Sequence, residues 1–207
     1  MDKKEIFILR HGETDYNAQR IIQGRGVNSD LNRKGRAQGM AFYDKYKGEE
    51  FEVVLTSELK RTQQTVASFI NDGIPWEKHG EIDEMDWGIH EGKKGTPAMK
   101  NDYVAMTTAW KSGNYNYRIE GGESAQELAD RLTIFVNHLK TRAEEKILVC
   151  SHGRAMRCLM AVLKEDALKD MEQYMHHNTG LYKVIFNGKK FDFETVNDIS
   201  HLEDLNF

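Results

Sequence analysis

The sequence predicts an α/β fold: a three-layer sandwich with a mostly parallel sheet and helices on both faces. Two observations carry this. Three short, predominantly apolar runs, Ile6 to Leu9, Phe51 to Leu55 and Ile147 to Cys150, read as strands buried on both sides. Between them lie stretches with helical periodicity, the alternation that builds parallel sheets through crossover helices.

The elements follow in order. Residues 5–9 form the first strand, and residues 10–31, with glycines at 12, 24 and 26, form a loop. Leu31 to Lys47 is helical, with Asn32 as N-cap and Ala37, Met40 and Ala41 on one face. After the second strand, Ser57 is expected to cap a helix carrying Leu59, Val66, Phe69 and Ile70. Residues 80–97 are irregular, and a helix runs from Pro97, tolerated in a first turn, to Trp110. Ser124 and Glu127 form a capping box. Behind it Leu128, Leu132, Phe135, Val136 and Leu139 make one apolar stripe. The third strand ends in Ser151-His152-Gly153, where another helix begins, and Leu181 to Phe193 reads as a hairpin turning at Asn187-Gly188. No linker divides the chain, so residues 1–207 are expected to be one domain, with an insertion at about 80–122 lying over the site as a cap.

With 29 basic and 33 acidic residues and a net charge of −4, the chain lacks the basic footprint of a nucleic-acid binder. The N-terminal apolar run is too short for a signal peptide or membrane span, so a cytoplasmic protein with no membrane partner is expected. The two cysteines, Cys150 and Cys158, are expected as buried free thiols. Monomer and homodimer both remain open.

In open parallel sheets ligands bind beyond the carboxyl ends of the strands. Three such ends carry polar signatures here: Arg10-His11-Gly12, the stretch from Ser57 to Arg61, and Ser151-His152-Gly153. A neutral imidazole is a nucleophile for phosphorus, and arginine forks match phosphate oxygens two at a time. A helix start adds backbone donors, and glycine lets an anion approach closely. The leaving alkoxide needs a proton, for which the carboxyl groups of residues 81–86 are candidates. Taken singly, each signal has a plainer explanation: a structural histidine, a solvated arginine, a solvated acidic loop. Their joint pattern points to a phosphate pocket. The adjacent pair His176-His177 lacks a partner at ligand spacing, and no metal is expected there.

These motifs resemble the histidine phosphatase superfamily, in the branch that holds cofactor-dependent phosphoglycerate mutases and broad-specificity phosphatases. The resemblance runs nearly end to end. It rests on Leu9-Arg10-His11-Gly12-Glu13-Thr14, on Arg20 with Ile22-Gln23-Gly24, and on Leu31 to Gly35. It continues through Thr56 to Thr65, Glu84 to Gly92, Gly121 to Ser124, Cys150 to Gly153 and Asp198 to Leu202. The resemblance implies a phosphoglycerate mutase-like fold in which His11 is phosphorylated and Arg10, Arg61 and His152 hold the phosphoryl oxygens. It makes Glu84 the proton donor and lines the pocket with Asn17, Gln23, Gly24 and Gly153, with no metal and no cofactor. Departures are Asn32 and Thr62, where the family usually has threonine and alanine, and a proline-free loop from Arg25 to Asp30. The loop Glu84 to Gly92 reads EMDWGIHEG where the mutases have E-R-H-Y-G, and apolar and aromatic residues are prominent from 92 to 122. The expected activity is therefore phosphomonoester hydrolysis through a phosphohistidine on small organic phosphates. A phosphoglycerate mutase is the alternative, and an inactive phosphate-binding module a more remote one.

Overall fold

The computed structural model describes residues 3–205. One six-stranded sheet runs through it in the order β3-β2-β4-β1-β5-β6. Its strands are β1 (Lys4–Arg10), β2 (Val53–Thr56), β3 (Trp76–Lys78), β4 (Lys146–Ser151), β5 (Leu181–Phe186) and β6 (Phe191–Asp198). The first four are parallel where they pair, while β5 runs antiparallel to β1, and β6 to β5. The α/β sandwich with a mostly parallel sheet is thus the observed fold. The turn at Asn187-Gly188 joins β5 to β6, with Gly188 at φ +85°.

The helices are α1 (Asp15–Gln19), α2 (Arg33–Tyr46), α3 (Lys60–Thr65), α4 (Ala67–Asn71), α5 (Pro97–Lys111), α6 (Ala125–Thr141) and α7 (Gly153–Lys164). The pleat of β1 divides them into two layers. Ile6 and Ile8 point into a core shared with Met106 and Trp110 of α5, Leu128, Leu132 and Phe135 of α6, and Met156 and Leu159 of α7. Phe7 and Leu9 point the other way, onto Phe42 of α2 and Phe69 of α4. Met85, Met106, Trp110 and Ile119 join the first core, so residues 80–122 pack into the same interior as the sheet.

Caps set several starts. Asn32 takes the backbone N–H of Gly35, and Ser124 and Glu127 form the expected reciprocal box. Thr14 and Asn17 make a second box for α1, a short helix inside the stretch that reads as loop. The expected helix from Ser57 is corrected. It begins at Lys60 with Leu59 as N-cap and is interrupted at Val66, while Ser57 Oγ, one turn earlier, accepts the backbone N–H of Leu59 and also meets Thr62 and His152. Cys150 and Cys158 are free and buried, and burial raises both thiols. No helix among the described residues is long and apolar enough to cross a membrane.

Candidate active site

Because β2, β4 and β1 are neighbours, the three polar strand ends converge. His11 continues the ladder past β1, donating its backbone N–H to Ser151 O at 3.0 Å. Its side chain is buried, and Nδ1 lies 2.6 Å from the carbonyl of Gly12. A carbonyl only accepts, so Nδ1 carries the proton and Nε2 keeps a lone pair. Gly12 donates its N–H to Thr65 Oγ1 at 2.9 Å, and Asn178 Nδ2 donates to His11 O at 2.9 Å. A Cβ on Gly12 would fall 2.5 Å from the carbonyl oxygen of Gly35, so the backbone that presents His11 needs glycine there.

His152 is buried at the end of β4, its ring centroid 5.2 Å from that of His11. Its Nδ1 accepts from Arg61 Nε at 3.1 Å, and its Nε2 lies 2.7 Å from Ser57 Oγ. Arg61, fully buried in the first turn of α3, also donates from Nη1 to Val27 O at 2.6 Å and from Nη2 to Gly24 O at 3.4 Å. Each terminal nitrogen retains a second N–H for a ligand. Arg10 Nε and His176 Nδ1 are buried with no hydrogen-bond partner among the described residues. Both face Gly153, where a Cβ would lie 3.5 Å and 3.3 Å from them. Glycine, two donor-capable nitrogens and the start of a 12-residue helix thus frame one spot suited to an anion.

The electrostatics agree. Burial, then Arg61, holds both His11 and His152 well below histidine's ordinary range. Burial also lowers Arg10, and brings Arg61 down to about 10, with the Glu84 carboxylate partly offsetting both. Two neutral imidazoles beneath two desolvated guanidiniums favour an incoming anion.

Glu84 is buried at the same place. Its Oε1 accepts from Met85 N and Ala155 N at 2.9 Å each, and its Oε2 from Arg154 N at 3.1 Å, so it caps α7. The other expected residues are one step removed. Gln23 donates from Nε2 to Thr14 Oγ1 at 2.8 Å and accepts from Ser29. Asn17 spends its amide oxygen on the α1 cap. Gly24 contributes its carbonyl to Arg61, while its Cα abuts Glu91 and Met85 O. Asp83, the neighbour of Glu84, takes the backbone N–H of Glu58 and faces Arg25.

Sequence reasoning missed several contributors. Ser57, Thr62 and Thr65 lie inside a recognised motif but read as caps or spacers. His176 and Asn178 come from the loop before β5, far along the chain, and only the adjacent histidine pair hinted at it. Arg154 packs against α5, its guanidinium 5.6 Å from the Tyr103 ring centroid and hydrogen-bonded to Tyr103 Oη and Glu172. The metal-capable group found among the described residues is elsewhere: Glu77, His79 and His138. Arg142 bridges it, with Nη1 2.7 Å from Glu77 and 2.8 Å from His138 Nε2.

Known proteins share this arrangement's framework. A protein of Salmonella choleraesuis named "Probable phosphoglycerate mutase GpmB" is 27% identical over 208 residues, covering 96% of this chain and 95% of its own. The structure of Bacillus stearothermophilus YhfR superposes with a TM-score of 0.84 at 25% identity, covering 97% of this chain and all 100% of that one. The alpha-ribazole phosphatase from Shigella flexneri gives 0.82 at 24% identity, over 94% of this chain and 96% of its own. A phosphoserine phosphatase from Entamoeba histolytica gives 0.82 at 21%, over 96% and 99%. The family model described as "Histidine phosphatase superfamily (branch 1)" matches residues 6–199, and the chain belongs to that family.

Proposed function

We propose that this protein is a metal-independent phosphomonoesterase that works through a phosphohistidine at His11 and acts on small organic phosphates. The observation that carries the reading is the lone pair on His11 Nε2, fixed by the 2.6 Å bond from Nδ1 to Gly12 O, beside the buried Arg61 and the half-buried Arg10. Arg10, Arg61 and the α7 N-terminus neutralise the phosphoryl oxygens. His11 Nε2 attacks phosphorus as the ester P–O bond breaks, and Glu84 delivers a proton to the departing alkoxide. Glu84 then takes a proton from water, whose oxygen attacks phosphorus. The P–N bond breaks, phosphate leaves and His11 is restored.

Hydrolysis is favoured over mutase chemistry by a groove joined to the site through Tyr103, whose hydroxyl is hydrogen-bonded to Arg154. A groove of about 560 Å³ is lined by Ile22, Pro97, Met99 and Tyr103, with Gly95 and Thr96 and a single cation, Lys100. Arg118 is tied to Glu127 at 2.7 Å, away from that groove. Such a surface suits an organic substituent better than a second carboxylate. Residues 80–122 act as the cap that carries most of this surface. A cytoplasmic setting accords with two buried, unpaired thiols.

The mutase reading stays in view because the curated relatives carry that name. A ³¹P NMR time course without added metal separates the two. With an aryl phosphate, 3-phosphoglycerate and a trace of the 2,3-bisphosphate, growth of inorganic phosphate supports the proposal. Growth of 2-phosphoglycerate with little free phosphate would replace it with the mutase. No change with these or a wider phosphate panel would leave the pocket a binding module.

A further inference from the structure

A line of hydroxyls runs from His152 into the start of α3. His152 Nε2 lies 2.7 Å from Ser57 Oγ, Ser57 Oγ lies 2.9 Å from Thr62 Oγ1, and Thr62 Oγ1 donates to Leu59 O at 2.8 Å. The line ends on a carbonyl, which only accepts, so its direction is set from that end. Thr62 gives its one proton to Leu59 O and must accept from Ser57. Ser57 gives its proton to Thr62 and accepts twice, from Leu59 N at 3.1 Å and from His152. The proton of neutral His152 is therefore on Nε2. The other nitrogen agrees: Nδ1 faces Arg61 Nε–H at 3.1 Å, and a guanidinium only donates.

We propose that Thr62 is a positioning residue that fixes this relay and holds His152 with its proton on Nε2, so that Nδ1 must gain a second proton before it can bind a phosphoryl oxygen. The inference rests on the phosphatase reading for its kinetic consequence, but not for the tautomer itself. In the empty pocket His152 is neutral, since burial, Arg61, His11, Arg10 and Arg131 all act against its charge. Arg61 approaches from α3, Arg10 and His11 from the end of β1, and Arg131 from α6. The Glu84 carboxylate opposes them from the first backbone donors of α7. A bound phosphate dianion reverses the balance. The second proton comes from solvent or from the monoanionic ester and goes to Nδ1, which ceases to accept from Arg61 Nε; the Nδ1–H and the released Arg61 Nε–H both turn to phosphoryl oxygens while Nε2–H stays on Ser57. Activity then requires doubly protonated His152 and falls on the alkaline side as that proton is lost. Position 62, where the family usually has alanine, thus sets the upper pH limit in this chain.

The tautomer is read directly by ¹⁵N NMR of the ligand-free protein, with His152 assigned from the signals lost in His152→Asn. The expected wild-type pattern is a protonated Nε2 and an unprotonated Nδ1. In Thr62→Val the Ser57 proton loses its acceptor and turns to His152 Nε2, moving the population toward Nδ1–H. The same variant is expected to shift the alkaline limb of log(kcat/KM) upward by about one pH unit, and Thr62→Ser to restore it. Thr62→Ala provides a second test should the valine disturb folding. A wild-type Nδ1–H signal, an unmoved tautomer in both variants, or a loss equal at every pH would overturn the relay. An enzyme without turnover would overturn the phosphatase reading, while the NMR result would still decide the tautomer.

Discussion

The carboxylate of Glu84 closes the N-terminus of α7, its Oε1 2.9 Å from the backbone N–H of Ala155 and its Oε2 3.1 Å from that of Arg154. One side chain thus caps the helix and, in the proposed mechanism, also moves the proton. The two roles separate by substitution. Glu84→Gln keeps one amide oxygen for Met85 and Ala155 N–H but leaves the Arg154 N–H facing an NH2, and is expected to cost about 1–3 kcal/mol of stability while slowing alkyl phosphates about 10²-fold or more. Nitrophenyl phosphate, whose leaving group needs little protonation, should slow far less. Equal losses on both would remove Glu84 as the acid and turn attention to Asp83, which is also buried.

His11→Ala is expected to lower kcat by about 10⁴-fold or more, because it removes the proposed nucleophile. Phosphate should still bind, since Arg10, Arg61 and α7 remain. Isothermal titration with inorganic phosphate beside steady-state kinetics checks both halves. Residual turnover within about tenfold of wild type would show that another group attacks phosphorus.

Stability should fall in mildly acid solution. His11 and His152 are held well below the ordinary range, His176 is brought down to about 3 and His201 to about 4, in each case by burial first. In the unfolded chain each histidine titrates near about 6.5. Between the two values the unfolded chain binds more protons, so stability is complete above pH ~6.5 and is lost as pH falls toward the folded values. Each histidine contributes a slope of up to about 1.4 kcal/mol per pH unit in that window. Urea midpoints from pH 7 to pH 5, above the ordinary carboxylate range, should drop steadily. A flat profile would mean these histidines titrate alike in both states.

Gly35 sits where Glu13 passes. A Cβ there would fall 2.0 Å from Glu13 O and 2.6 Å from Glu13 N, both backbone atoms that cannot swing aside. Gly35→Ala is expected to destabilise the fold by about 3 kcal/mol or more and to disturb the adjacent His11–Gly12 turn. The readout is a lower denaturant midpoint together with reduced kcat. Near-wild-type values for both would show that the turn has room to shift.

Much of this was legible because buried parallel strands must be apolar and polar groups beyond them must serve something. Ile6 to Leu9 and Ile147 to Cys150 announce β1 and β4, and His11 and His152 follow directly. The Ser124–Glu127 box is local chemistry and reads from spacing alone. Strand β3 does not: Trp-Glu-Lys over 76–78 has no apolar run and exists through its pairing to β2 at the sheet edge. Helix α1 is five residues in a polar, glycine-bearing stretch, too short for periodicity to register. Ser57 was ambiguous because a serine after a strand suits either a helix cap or a buried relay, and tertiary partners decide. His176 and Asn178 reach the pocket through the hairpin's return to β1, a contact across more than 160 positions that no local pattern encodes.

In the proposed mechanism His11 Nε2 becomes covalently bonded to phosphorus. Rapid alkaline quenching during turnover of an aryl phosphate, followed by mass spectrometry of the peptide bearing residue 11, tests it most directly. One added phosphoryl group is expected on His11, stable to base, labile to acid and absent from Glu84→Gln only where the leaving group needs a proton. Turnover at an undiminished rate with no phosphoryl group on His11, or with the label on another side chain, would contradict it.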